Sequence, residues 1–320
     1  MSQRTDTDAK MAQIRGRAAW ISLTVGITLF LVKLGAWQLT GSTAVLSDAL
    51  ESIVNVVAAA FALFSVRLAQ KPADHDHPYG HGKIEFLSAA FEGGLIFLAG
   101  LLIIYEGGTR LFAPAPLARL GEGLALTAAA GAVNLWLGLW LVRVGRRTRS
   151  IALEADGQHI LSDVWTSALS LFALGAVWLS DRSWIDPLVA LVAGANLLRV
   201  GAGLVREAAD GMMDAAQPEL LEQARALLRS LRDPNFVAFD HLRCRRQGSF
   251  LHFDLTIYVP DALSVGEAHA LADRVEAQIA GALGEAQVIC HIEPESLLRE
   301  VPGAERPVSA PHAPLEGIAP

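Results

Sequence analysis

The segment "LSDALESIVNVV" (residues 46–57) decides how this chain is read. It lies within a long apolar run, yet it carries Asp48, Glu51 and Asn55 at separations of three and four residues, which stack on one face of a helix. A charged group at the centre of a bilayer costs at least ~2.5 kcal/mol even on a lenient insertion scale, so such a stripe faces a partner, a cavity or an ion. A second stretch, "EADGQHILSDVW" (residues 154–165), repeats the spacing with Asp156, His159 and Asp163. Two helices therefore offer matching polar ridges. A divalent cation held by Glu51, Asn55, His159 and Asp163 would offset the burial cost, with one nitrogen and three oxygen donors in a site that facing helices can close. Asp48 is a ligand or a group behind the ligands, and ranks below these four. Asp156 suits a helix-end or proton-relay role equally well, and Glu154 falls off the ridge. The competing reading is interhelical hydrogen bonding with no ion, a common use of polar residues in membrane helices.

The whole chain supports the membrane reading. Its 320 residues are 52% hydrophobic and 18% charged, with mean hydropathy +0.37, which is the profile of a polytopic membrane protein. A net charge of −7 argues against nucleic acid as a partner, because phosphate binding needs a concentrated basic face. Cys244 and Cys290 form neither a CxxC pair nor a disulfide framework, which fits a reducing compartment. The polar, basic start "MSQRTDTDAKMAQIRGR" lacks the pattern of a removable signal peptide, so the first span is expected to be retained.

A hydrocarbon core of roughly 30 Å takes about 20 apolar residues in a helix. Six segments reach that length, near residues 18–39, 43–67, 86–109, 121–143, 151–179 and 184–205. Arg4, Lys10, Arg15 and Arg17 precede the first, Lys71 and Lys83 follow the second, and Arg146, Arg147 and Arg149 follow the fourth. This alternation puts both termini in the cytoplasm of a plasma (inner) membrane protein. The expected organisation is a cytoplasmic segment (1–17), a six-helix membrane domain (18–206), a cytoplasmic α+β domain (207–296) and a disordered Pro- and Ala-rich tail (297–320). In the third part, helical and alternating patterns run in the order αββαβ.

Histidine is scarce, nine in all, and three of the nine lie in "KPADHDHPYGHGKIEF" between the second and third spans. Asp74, His75, Asp76, His77 and His81 crowd a turn built on Pro78 and Gly80, and a carboxylate with two imidazoles there suits a zinc-like ion. In the cytoplasmic domain His241, His252, His269 and His291, with Asp240 and Glu293, form a candidate second cluster.

Taken together, "LSDALESIVN", "HPYGHGKIE" and "ADGQHILSDVWTS" resemble the cation diffusion facilitator family over roughly residues 15–295. The resemblance implies a homodimeric divalent-metal/proton antiporter in the lipid bilayer, with six membrane helices and a cytoplasmic ferredoxin-like domain. It implies a transport site on Glu51, Asn55, His159 and Asp163, a loop site on Asp74, His77 and His81, and a cytoplasmic site partly on His269, His291 and Glu293, with His241 beside Asp240 at an altered position. Zinc is the default cargo, with iron(II) or manganese next and cobalt, nickel or cadmium also open; zinc in the loop and cytoplasmic sites could be structural or regulatory. Zinc-transporting members usually carry His or Asp, then Asp, where this chain has Glu51 and Asn55, and a neutral amide is the weaker ligand. Lys83 and Asp214 match positions that resemble a charge interlock at the dimer centre. Two rivals remain open. A membrane metalloenzyme lacks support, since no HExxH occurs; a metal sensor that binds without transporting is separated from a carrier by flux.

Overall fold

A computed structural model describes residues 6–40, 43–112, 124–180, 182, 184–284, 286–300 and 303–307. It divides into two compact units, Met1–Met212 and Met213–Pro320. The first unit contains six long helices: α1 (Asp6–Thr40), α2 (Thr43–Ala69), α3 (Ile84–Phe112), α4 (Leu124–Thr148), α5 (Ile151–Ser180) and α6 (Ile185–Met212). Among the described residues, four stretches are long and apolar enough to cross a membrane: Ala9–Gln38, Ser52–Ala69, Ile84–Thr109 and Pro187–Met212. The other two helices are α4, which ends in Arg143, Arg146 and Arg147, and α5, which carries the polar ridge.

Two apolar clusters organise this unit. One joins Ala18 and Ala19 of α1, Leu63 and Val66 of α2, Leu137 and Leu141 of α4, and Ala152, Leu153 and Ile160 of α5. The other joins Phe86, Ala89 and Ile96 of α3, Ile151 and Ala155 of α5, and Leu197, Leu204 and Ala208 of α6. α5 belongs to both, so its first half is buried on nearly every side while residues such as Trp136, Leu102 and Val192 on other helices stay exposed. An outward apolar surface of this kind is what lipid covers.

α3 and α6 pack closest, through glycines at seven-residue spacing. A Cβ on Gly201 would lie 2.6 Å from the Gly93 carbonyl oxygen, and one on Gly100 would lie 2.9 Å from that of Gly194. Backbones approach this near only where the side chain is absent.

Two boundaries differ from the sequence expectation. α1 starts at Asp6, so most of the segment expected to precede the first span is already helical, and Arg15 is buried, donating to the Thr148 carbonyl at 3.1 Å. α6 continues past Arg206 to Met212, because "REAADGM" is rich in helix formers and contains no breaker before its glycine.

The second unit contains α7 (Pro218–Ser230), β1 (Ala238–Gln247), β2 (Phe250–Val259), α8 (Val265–Leu283) and β3 (Ala286–Pro294), the expected αββαβ order of a small ferredoxin-like α+β domain. The sheet order is β1-β2-β3, antiparallel then parallel. Odd-numbered β2 residues Leu251, Phe253, Leu255, Ile257 and Val259 point into a core with Leu271, Val275 and Ile279 of α8 and Leu228 of α7. α8 begins with a capping box in which Ser264 and Glu267 satisfy each other's backbone N–H groups. The tail expected to be disordered is partly ordered. Glu295–Glu300 forms a short 3-10 helix, and Glu305 exchanges both backbone hydrogen bonds with Phe239 at 2.9 Å while its carboxylate meets Arg225 and Arg229. Residues 308–320 lie outside the described residues.

Candidate metal centre

The polar ridges of α2 and α5 meet. Asn55 Nδ2 donates to Asp163 Oδ2 at 2.7 Å, and the other end of the amide, Oδ1, lies 3.1 Å from His159 Nε2. With Nδ2 committed to a carboxylate, Oδ1 can only accept, so the proton of this contact sits on Nε2 of His159. His159 is 6% exposed, while Asn55 and Asp163 are half-buried. Glu51 and Asp48 lie on α2, but their side chains are outside the described residues. Asp156, one turn before His159, is buried and accepts from Ser22 Oγ of α1 at 2.6 Å, so it ties α1 to α5.

Sequence reasoning missed Glu92 of α3. It is 0% exposed, its Oε2 lies 3.7 Å from His159 Nδ1, and neither carboxylate oxygen has a hydrogen-bond partner among the described residues. The signal was available, since a carboxylate in an apolar span is itself unusual. It went unread because Glu92 has no ionisable neighbour three or four residues away on α3. Lys33, buried on α1 and donating to Ser52 Oγ of α2 at 2.9 Å, escaped for the same reason.

Three of the loop residues come together. Asp74, His77 and His81 place one ligand atom each within 4.8 Å of one another, the one such group of His, Cys, Asp and Glu among the described residues. Asp74 Oδ1 is 3.3 Å from His77 Nδ1, its Oδ2 is 3.4 Å from His81 Nε2, and the two rings lie 4.4 Å apart. Local backbone geometry sets this up: the His77 N–H donates to Asp74 Oδ1 at 2.8 Å, and Gly80, at φ 91°, lets the chain turn back. That N–H holds the Asp74 carboxyl below its usual range against the opposing effect of burial, and the two imidazoles add to the lowering. His75 points away, fully exposed beside Asp76.

The cytoplasmic candidates are not gathered into one group. His291 Nε2 meets Glu293 Oε1 at 2.7 Å on β3, but His269 pairs along α8 with Asp273 at 3.7 Å. His241 sits exposed in the β1 bulge at φ 52° and folds back on Asp240, because the register shift between Asp240 and Arg243 turns it off the strand's alternation. His252 lies buried against Gln247 at 3.0 Å, with burial, then Arg245, lowering its pKa. Burial, reinforced by Glu276, pushes the Cys290 thiol up to about 12, so it stays protonated at neutral pH. Lys83 Nζ donates to the Met212 carbonyl at 3.2 Å, and Asp214 lies 4.0 Å from Arg245.

Residues 19–213 match the cation efflux transmembrane domain, and residues 216–295 match the cation efflux protein cytoplasmic domain. An uncharacterized transporter of Synechocystis sp. is 38% identical over 276 residues, 86% of this chain and 89% of that protein. The cation-efflux pump FieF of Serratia proteamaculans is 31% identical over 294 residues, 92% of this chain and 97% of the relative. A solved chain of CzrB in its Zn form shares 30% identity over 26% of this chain and 93% of its own, with a TM-score of 0.25. Spanning both domains of the family in the order observed here, the chain is a membrane protein that belongs to the cation efflux family, a family of transporters and not of enzymes.

Proposed function

We propose that this protein exports a divalent cation in exchange for protons, working as a homodimer in the plasma membrane with both termini in the cytoplasm. The observation that carries the reading is the convergence of Asn55, His159 and Asp163 from two helices at hydrogen-bonding distance inside an apolar bundle. Glu51, one turn before Asn55 on α2, completes the proposed donor set. A cation there takes the lone pairs that protons otherwise occupy, and this competition is the physical basis of exchange. Metal from the neutral cytoplasm displaces protons from the ligands. Protons from a more acidic exterior displace metal after the helices have opened outward. One nitrogen and three oxygen donors suit zinc first and iron(II) or manganese next. The loop cluster at Asp74, His77 and His81 binds a second ion of the same kind. Matching of residues 216–295 to the family's cytoplasmic domain supports that unit as the dimerising one.

The test is zinc uptake into reconstituted vesicles under an imposed pH gradient. Wild type accumulates zinc and Asp163→Ala falls to the protein-free background; undiminished uptake by that variant would take the site out of the mechanism.

A further inference from the structure

We propose that Glu92 is the positioning residue of the cation site: it accepts the Nδ1–H of His159 and so presents the Nε2 lone pair to the metal. The inference rests on the assignment of Asn55, His159 and Asp163 to the cation made above.

In the metal-free network Nε2 carries a proton, because Asn55 Oδ1 at 3.1 Å can only accept. A cation between Asn55 and Asp163 needs the Nε2 lone pair, so that proton has to leave the ring nitrogen. A neutral imidazole keeps one N–H, which then sits on Nδ1. The neutral ring therefore changes tautomer: the proton lost from Nε2 is matched by one taken up at Nδ1 through solvent, so the imidazole releases no net proton and stays neutral.

The Nδ1 side of the ring faces Glu92. Its Oε2 lies 3.7 Å away, longer than a hydrogen bond, and both its oxygens lack a hydrogen-bond partner among the described residues although the residue is 0% exposed. An unsatisfied buried polar group of this sort is costly, and its persistence calls for a role. A histidine that ligates a metal regularly donates its other N–H to a carboxylate, which fixes both tautomer and ring orientation. A shift of less than about 1 Å would close the Nδ1 contact to hydrogen-bond length. Glu92 is held by its helix neighbour: Gly93 packs so near α6 that a Cβ there would lie 2.9 Å from the Gly201 carbonyl oxygen. α3 thus supplies a donor set of two helices with a support from a third.

The experiment uses the full chain in nanodiscs. Zinc affinity is read as the component that Asp163→Ala removes, and the His159 tautomer is read from side-chain 15N shifts, assigned by difference with His159→Gln. With zinc, wild type should show Nδ1 protonated and Nε2 metal-bound. Glu92→Leu, similar in size and without an acceptor, should lose about 10- to 100-fold in affinity. Glu92→Gln, whose amide oxygen accepts the same N–H, should recover most of that loss. Zinc on Nδ1, wild-type affinity in Glu92→Leu, or equal damage in Glu92→Leu and Glu92→Gln would each overturn the proposal. Cobalt(II) absorption separates direct ligation: a visible band that changes between wild type and Glu92→Gln would make Glu92 a ligand and overturn the positioning role. Neither readout requires flux, so a wild type that binds zinc without carrying it would remove the transport reading and leave this comparison intact.

Discussion

The loop cluster and the membrane cluster both combine imidazole with carboxylate and are built in opposite ways. Asp74, His77 and His81 come from eight consecutive residues, share a tight turn and keep Asp74 and His77 in water. Asn55, His159, Asp163 and Glu92 come from three helices, are separated by up to 108 residues in sequence, and sit among apolar side chains. A solvated cluster tolerates imperfect satisfaction because water completes it. A buried one does not, so each member there needs a partner or an ion. That contrast is the reason the proposed transport site is the buried cluster, where a polar group without a partner is costly.

The sharpest way to break that contrast is to truncate one imidazole on each side. His159→Ala should reduce pH-driven zinc uptake to background, whereas His77→Ala should slow it by no more than about tenfold, equivalent to roughly 1.4 kcal/mol. Equal losses in vesicle flux would erase the distinction. Next comes the amide: Asn55→Asp puts a second negative charge beside Asp163 and should change the order of rates in a panel of zinc, iron(II), manganese, cobalt, nickel and cadmium. An unaltered order would remove Asn55 from the ligands.

A third effect concerns the helix behind Glu92. Gly201→Ala should destabilise the membrane unit by about 1–3 kcal/mol, because its Cβ would fall 2.6 Å from backbone atoms of α3. Gly203→Ala, with nothing within 4 Å, should leave the thermal midpoint in detergent unchanged. Equal midpoints for both would mean that α3 and α6 do not need their close approach.

The smallest effect belongs to the loop and is one of pH. Asp74 has a folded pKa below its unfolded value, so its contribution is present above the usual carboxylate range and is lost only as pH falls through the lower folded value. Loop-bound zinc measured by equilibrium dialysis should therefore not be lost through Asp74 as pH falls into the usual carboxylate range near pH 4. A loss of binding centred near pH 4, with none at higher pH, would contradict this.

Short-range order was the legible part. The strand pattern "AQVICHIEP" corresponds residue for residue to β3, and the loop motif assembled because its donors lie within one turn. Both depend on neighbours in sequence. The meeting of α2 with α5 was also readable, since two ridges of equal spacing imply each other. Glu92 and Lys33 were not, because a charged residue with no ionisable partner one turn away reveals its depth and not the direction it faces. The donors of the second unit show the converse. His241, His269 and His291 are close in type and region, but they lie on β1, α8 and β3, and each pairs with an acid of its own element. Their number in the sequence carried no information about direction.

Anomalous diffraction at the zinc edge, on crystals of the full-length protein grown with zinc, tests the central claim most directly. A peak is expected between α2 and α5, within about 2.0–2.2 Å of His159 Nε2 and an Asp163 oxygen. Density confined to the loop at Asp74, His77 and His81, with the buried side chains still bonded only to each other, would contradict it.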